Sequence, residues 1–363
     1  MRYGFIIILA CILGLIGWTA KCFWQILPLP AWGKWAFTAM YLLLFLIIFP
    51  HFAWGDRMPA WLAAATYETG TSWMIFFLYA LIIFATLHLG RVFHLVSPSF
   101  LKDSASGSAA VLCLISVLLV YGNIHYRHKY REVLDICTEK PLERPIRIVL
   151  ASDLHVGYHN RKPELARWVD MINAENPDLV LIAGDIIDGA IRPVREWKYE
   201  EEFRRIRPDV YACLGNHEYI SGSDGSEAFY SDAGIHLLKD SSAVFHGIQV
   251  IGRDDRTNPF RKGLSDLAPS DSLFTILLDH QPSHLEEAEE AGIDFQFSGH
   301  THHGQVWPLS WITDAIFEKA FGRHARGKTR YYISSGLGIW GGKFRIGTRS
   351  EYVVLTLHNP NQE

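Results

Sequence analysis

The sequence predicts a two-part chain: four membrane-crossing helices, then an α/β domain built on mixed sheets. Three observations carry this. Four long apolar runs within the first 126 of 363 residues contain no Lys, Arg, Asp or Glu. Charge divides with them: residues 1–145 hold 11 Lys/Arg against 7 Asp/Glu, while residues 146–363 hold 23 against 31. Beyond residue 145, short β-branched runs alternate with polar turns and amphipathic segments, the texture of an α/β domain. Composition excludes other classes. With 49% hydrophobic residues the chain is not disordered. Five Cys in no CxxC pair give neither a disulfide framework nor a thiolate zinc site. A net charge of −4 argues against a nucleic-acid binder.

The predicted spans are 3–20, 35–55, 69–90 and 104–126. Each approaches the ~20 residues that cross a ~30 Å hydrocarbon core as a helix. Seven of the 12 Trp fall in this part, clustered near run ends as in an interfacial belt. The first run lacks an Ala-x-Ala site, and Lys21 precedes Cys22, so it reads as an uncleaved span rather than a signal peptide. Four spans put the N-terminus and the second domain on one side, with Arg2, Arg57, Arg127, Lys129 and Arg131. Against Lys21, Lys34, Arg91 and Lys102 on the other side, that balance favours a cytoplasmic second domain, and the chain is expected to be a multi-pass protein of the inner membrane. The stretch 126–131 (YRHKYR) also suits anionic headgroups. His51, His88 and His94 lack ligand spacing and read as interfacial or packing residues.

The boundary is placed at residue 145. Buried strands are predicted at 146–153, 178–185, 209–216, 247–255, 273–280, 293–300, 330–337 and 350–357, with helices at 163–173 and 282–291. Residues 192–207 mix both signs and read as a solvated helix. Polar residues recur directly after the strands: Asp153 and His155, Asp185, Asn216 and His217, His280, His300 and His302. Sites in open α/β sheets form at the carboxyl ends of strands, so five strand ends could serve one rim.

The set comprises carboxylates, one amide and imidazoles, without Cys. Mixed O and N donors suit Mn, Fe, Zn or Co better than calcium. The i, i+2 spacing in Asp153-Leu154-His155 and His300-Thr301-His302 lets paired side chains project the same way from extended backbone. Gly184, Gly215, Gly299 and Gly304 beside them permit close backbone approach. So many ligands exceed the needs of one ion. Two ions about 3.5–4 Å apart would use them and could activate water for phosphoryl displacement.

This constellation resembles the calcineurin-like metallophosphoesterase superfamily. The matching motifs are Asp153-Leu154-His155, Gly184-Asp185-Ile186-Ile187-Asp188, Gly215-Asn216-His217-Glu218, Asp279-His280 and Gly299-His300-Thr301-His302. Segments 298–305 and 334–351 look like its bacterial membrane-associated branch, which is related to a metal-dependent UDP-diacylglucosamine pyrophosphatase. His303 stands where that branch usually has Gly. The resemblance implies a four-layer α/β/β/α sandwich of two mixed sheets over 146–363. It implies one metal at Asp153, His155, Asp185 and His302, and a second at Asp185, Asn216, His280 and His300, with Asp185 bridging. Manganese comes first, with iron, zinc, magnesium or cobalt as alternatives. His217 would contact phosphate and protonate the leaving oxygen, and Asp188 would support the ligands from behind or serve as a ligand itself. Hydrolysis would then proceed by attack of a metal-bridging hydroxide.

The motifs do not specify the substrate. Membrane tethering points to a phosphorylated lipid or lipid-linked metabolite, with membrane lipids as the other partner. Residues 307–330 join Trp307, Trp311, Ile312, Ile316, Phe317 and Phe321 to a cationic run. They fit an interfacial helix or lipid-phosphate mouth, or a docking face for the chain's own spans. A competing reading is a membrane scaffold or sensor with a structural metal site. The complete ligand set together with His217 argues against it.

Overall fold

The computed structural model describes residues 2–360. It divides into two compact units: residues up to Ile124 with Gly341–Phe344, and His125–Trp340 with the chain from Arg345 onward.

The first unit is helical: α1 (Arg2–Ile26), α2 (Ala31–Leu46), α3 (Ile48–Trp54), α4 (Ala60–Val92) and α5 (Ala105–Arg127). Four segments are long and apolar enough to cross a membrane: Ile6–Ile26, Ala31–Arg57, Ala60–Val92 and Ala105–Arg127. α1 runs past Lys21 because no breaker occurs before Pro28. The second span is broken at Ile47. Pro50 has no N–H for the Leu46 carbonyl and its ring crowds that group. α4 begins nine residues before the expected 69, directly after Pro59, and takes in Glu68. Phe23 anchors the core between Phe37, Tyr41, Phe76 and Phe84, at ring-centroid distances of 4.8–5.9 Å. Outward, large apolar side chains such as Ile7, Leu43 and Val117 stay exposed, the surface a hydrocarbon solvent calls for.

The second unit carries twelve strands among the described residues. They are β1 (Lys129–Cys137), β2 (Ile146–Ala151), β3 (Leu179–Ala183), β4 (Asp209–Cys213), β5 (Ile235–Leu237), β6 (Ser241–Phe245), β7 (Ile248–Gly252), β8 (Phe274–Leu278), β9 (Phe295–Ser298), β10 (Gly322–Arg326), β11 (Thr329–Ile333) and β12 (Ser350–His358). Its helices are α6 (Lys162–Ala174), α7 (Ile191–Glu196), α8 (Glu200–Phe203), α9 (Asn216–Ser221), α10 (Ser223–Ala233), α11 (Glu286–Glu290) and α12 (Leu309–Ile316).

Two six-stranded sheets form, in the orders β1-β12-β2-β3-β4-β5 and β10-β11-β9-β8-β7-β6. Both are mixed. β12 runs antiparallel to β2 but parallel to β1, and β6 and β10 run antiparallel to their neighbours. Period-2 alternation sends each strand's side chains to two faces. Ile148, Leu150 and Leu181 of one sheet meet Val250, Ile276 and Phe297 of the other in a shared core. The opposite face of the first sheet, including Val149, Val180 and Ile182, packs on Trp168, Phe203 and Phe229 of α6, α8 and α10. Beyond the second sheet, Ile251 and Leu277 pack on Leu285 and Ala288. The layers are therefore α/β/β/α. With both faces covered, β3 is buried at every residue and its sequence is continuously apolar.

Three segments differ from the sequence reading. β1 lies before the cut at residue 145, yet pairs with β12 along its whole length. Its inward Leu134 and Ile136 alternate with exposed residues, a weak pattern overshadowed by the basic stretch ahead of it. Residues 192–207 form the short α7 and α8 rather than one helix. In 307–330 only α12 is helical, and the cations Arg323, Arg326 and Arg330 sit on the β10–β11 hairpin.

Candidate active site

The predicted residues follow β2, β3, β4, β8 and β9 and meet at one rim of the two sheets. Ligand atoms, buried in all but the half-buried His300, gather in three groups, each within 4.8 Å: Asp153, His155 and His302; His155, Asp185 and His217; Asp185, His280 and His300. Neighbouring groups share a member. Asp185 Oδ2 lies 3.1 Å from His280 Nε2 and 3.6 Å from His155 Nε2. His155 Nε2 lies 3.1 Å from His302 Nε2. Asn216 joins through its Oδ1, 2.8 Å from His300 Nδ1. Asp188 stands behind, its Oδ1 3.4 Å from His155 Nδ1 and 3.3 Å from His217 Nδ1.

Local backbone makes this convergence possible. Asp153, His155, Asp185, His300 and His302 all adopt φ between 47° and 70°, a left-handed conformation that non-glycine residues rarely take and that collects at functional sites. His303 also has φ 48°, which accounts for the Gly expected there. Its amide donates to Thr301 Oγ1 at 3.1 Å, and its ring stacks on Phe321. Two glycines let ligand carboxylates in. A Cβ on Gly215 would lie 2.2 Å from Asp185 Oδ1, and one on Gly299 2.2 Å from Asp153 Oδ2.

Comparison with known proteins agrees with this geometry. The family model of the calcineurin-like phosphoesterase matches residues 146–304. An uncharacterized metallophosphoesterase of Campylobacter jejuni is 31% identical over 257 residues, 68% of this chain and 68% of that protein. The chain belongs to the calcineurin-like phosphoesterases. This is a family of metal-dependent phosphoesterases, and divalent ions are implied by it. A Helicobacter pylori relative is 31% identical over 232 residues, 61% of this chain and 62% of its own length. The chain thus spans about two thirds of the length of the Campylobacter and Helicobacter relatives it matches. A "transmembrane protein with metallophosphoesterase domain" of Danio rerio is 30% identical over 334 residues, 83% of this chain and 75% of that protein. That match is too long to lie within the second unit alone, and it fits the four apolar helices of a membrane protein.

The donor set of this calcineurin-like site fits divalent ions. His280 Nδ1 donates to the Ala183 carbonyl at 2.8 Å, leaving its Nε2 facing Asp185. His302 Nδ1 is buried without a hydrogen-bond partner, an arrangement that costs free energy unless something else engages the site. Burial opposes charge on His280, but the Asp185 and Asp153 carboxylates outweigh it and push its pKa up. A bound cation would answer the same carboxylates. Burial, with the neighbouring His280, lowers His300 to about 4, so its ring is neutral and able to ligate. Burial likewise works to lower His217, yet Asp188 and Asp185 prevail and raise it to about 9.

Two residues were missed by sequence reasoning. Glu218, quoted only as part of a motif, is fully buried. Its Oε2 accepts from the Asp185 amide at 3.0 Å and the Gly215 amide at 2.7 Å, and its Oε1 from the Ile187 amide at 2.9 Å. One carboxylate therefore ties the loop after β3 to the loop after β4. Arg345 is also fully buried. Its guanidinium donates to His302 O (2.6 Å), Ser335 O (2.5 Å), Gly338 O (3.2 Å) and Ser350 Oγ (3.2 Å). Lying 43 residues from His302, it offered no local signal.

Proposed function

We propose that this chain is a membrane-anchored dinuclear-metal phosphoesterase cleaving a P–O bond in a phosphorylated lipid or lipid-linked metabolite. The observation that carries the reading is the sharing of Asp185 and His155 between adjoining groups of ligand atoms. Asp153, His155, Asp185 and His302 would hold one ion. Asp185, Asn216, His280 and His300 would hold the other, with Asp185 common to both. When bound, such ions supply Lewis-acid activation of water and positive charge for the phosphoryl oxygens. The mixed oxygen and nitrogen donors favour manganese, with iron, zinc, magnesium or cobalt as competitors.

The remaining roles belong to the chain. Asp188 faces Nδ1 of both His155 and His217 and fixes the two rings. With Nδ1 turned to Asp188, His217 presents Nε2 to the substrate. Its raised pKa keeps a proton there at neutral pH for the leaving oxygen. Four spans support a membrane-resident substrate, which a soluble phosphoester would not require. The protein would lie in the inner membrane, and the cation balance of the loops supports a cytoplasmic catalytic domain.

The test is Mn²⁺-dependent hydrolysis of an aryl phosphodiester by the full-length protein, beside Asp185→Asn and His217→Ala. Wild type no faster than both variants would leave the scaffold reading standing. A panel of phospholipids and nucleotide-linked lipids against soluble nucleotides tests the lipid preference. Equal rates on soluble nucleotides, with indifference to lipid phosphates, would sink it.

A further inference from the structure

An apolar patch beside the site has no role in the chemistry above. Trp307, Trp311, Ile312 and Ile316 are 40%, 65%, 54% and 69% exposed. They form one surface: the two indoles meet edge-on with centroids 5.4 Å apart, and Ile312 and Ile316 are one helical turn apart. Ser310, on the other side of α12, is buried. The patch adjoins the site on both flanks. The turn His302–Gly304 precedes it, and the Phe317 ring just after it lies 6.1 Å from His300. Clustered exposed Trp and Ile mark an interaction surface on a folded domain.

The composition points to one occupant. Trp beside aliphatic side chains, flanked by cations, is the signature of a bilayer interface. The flanking cations are Arg323, Lys328 and Arg330, all exposed on the hairpin that follows α12. Arg326 does not count among them, being paired with Glu289 and Glu318. Chain connectivity adds a second argument. Only His128 separates the end of α5, a candidate span, from the start of β1, so a bilayer that takes α5 is tethered to the second unit by one residue.

We propose that α12 with Trp307 is an interfacial anchor. Its apolar face enters the hydrocarbon boundary of a lipid bilayer, and the hairpin cations meet anionic headgroups. The proposal holds whichever phosphoester the site takes.

Site-directed spin labelling tests it. Exposed Cys11, Cys113 and Cys137 are replaced by Ser, leaving the buried Cys22 and Cys213. Single Ile312→Cys, Ile316→Cys and Ser242→Cys variants of the full-length protein are labelled in nanodiscs of phosphatidylcholine and phosphatidylglycerol. Ser242 is exposed on β6, at the edge of the sheet opposite β10. Wild-type metal content certifies folding. At 312 and 316, collision with oxygen should exceed collision with a water-soluble nickel chelate, and the order should reverse at 242. Water-like accessibility at 312 and 316 overturns the proposal. So does low accessibility to both reagents there, which marks a face covered by protein, such as a second copy of this chain.

Discussion

Glu218 offers the sharpest perturbation, because its contribution can be worked from three hydrogen bonds. Its carboxylate accepts from Asp185, Gly215 and Ile187 amides at 2.7–3.0 Å in a fully buried setting. Glu218→Gln can still offer one oxygen at the two-donor position. Its NH₂ would then face the Ile187 N–H, leaving one buried donor unsatisfied at a cost of about 1–3 kcal/mol. Glu218→Ala orphans all three donors, at least ~3 kcal/mol by the same measure, a large part of a typical ~5–15 kcal/mol stability. Because the loops released are those bearing Asp185 and Asn216, metal retention should fall in step. Thermal unfolding of the purified full-length protein, with bound metal measured by elemental analysis, checks both effects. The order expected is wild type, Gln, Ala, for melting temperature and metal content alike. An Ala variant with wild-type melting and full metal content would refute the reasoning.

Other outcomes follow from the same contacts. His217→Ala should lower kcat by about 10²–10⁴-fold while keeping its metal, whereas His302→Ala should lose metal; elemental analysis beside aryl phosphodiester turnover separates them. Arg345→Lys replaces a planar fork reaching four acceptors by a single ammonium. It should loosen His302 and reduce bound metal, with a lower melting temperature. Glu175 bonds Arg131, Arg147 and Tyr352, and its pKa is lowered to about 2, first through the Arg131 hydrogen bond. The folded value lies below the unfolded ~4.3, so the stability it adds is present above that pH and is lost as pH falls toward 2. Its arginine partners are 41% and 39% exposed, so about 1 kcal/mol is expected after solvent screening. Glu175→Gln should therefore lower the melting temperature at pH 7 and narrow the gap to wild type in acid.

The sheet strands that bear the site were legible because both of their faces are covered. Continuous apolar runs such as 179–183 have no other stable use in so short a length. The polar residues at their carboxyl ends then stood out against that background. Edge elements were not legible. β1, β5, β6 and β10 are half-exposed: charged residues dilute the alternation of β1 and β10, β5 is only three residues long, and β6 opens on two serines. Helices α9 and α10 begin in GNHE and SDGS, sequences that read as turns. In 307–330, apolar and cationic residues read as one element, but the chain breaks at Phe317 and returns as a hairpin.

By itself, the sequence determined the division into charge-poor spans and an acidic catalytic part, the family, and the identity of the metal-ligand candidates. These depend on local patterns: run length, period and residue type after a strand. Only the tertiary structure decided which side chains meet. The left-handed turns at five candidate ligands, the Glu218 clamp between two loops, the Asp188 contact shared by two histidines and the Arg345 contact with His302 all join residues distant in the chain. Their energies come from burial and hydrogen-bond geometry, which linear spacing does not encode.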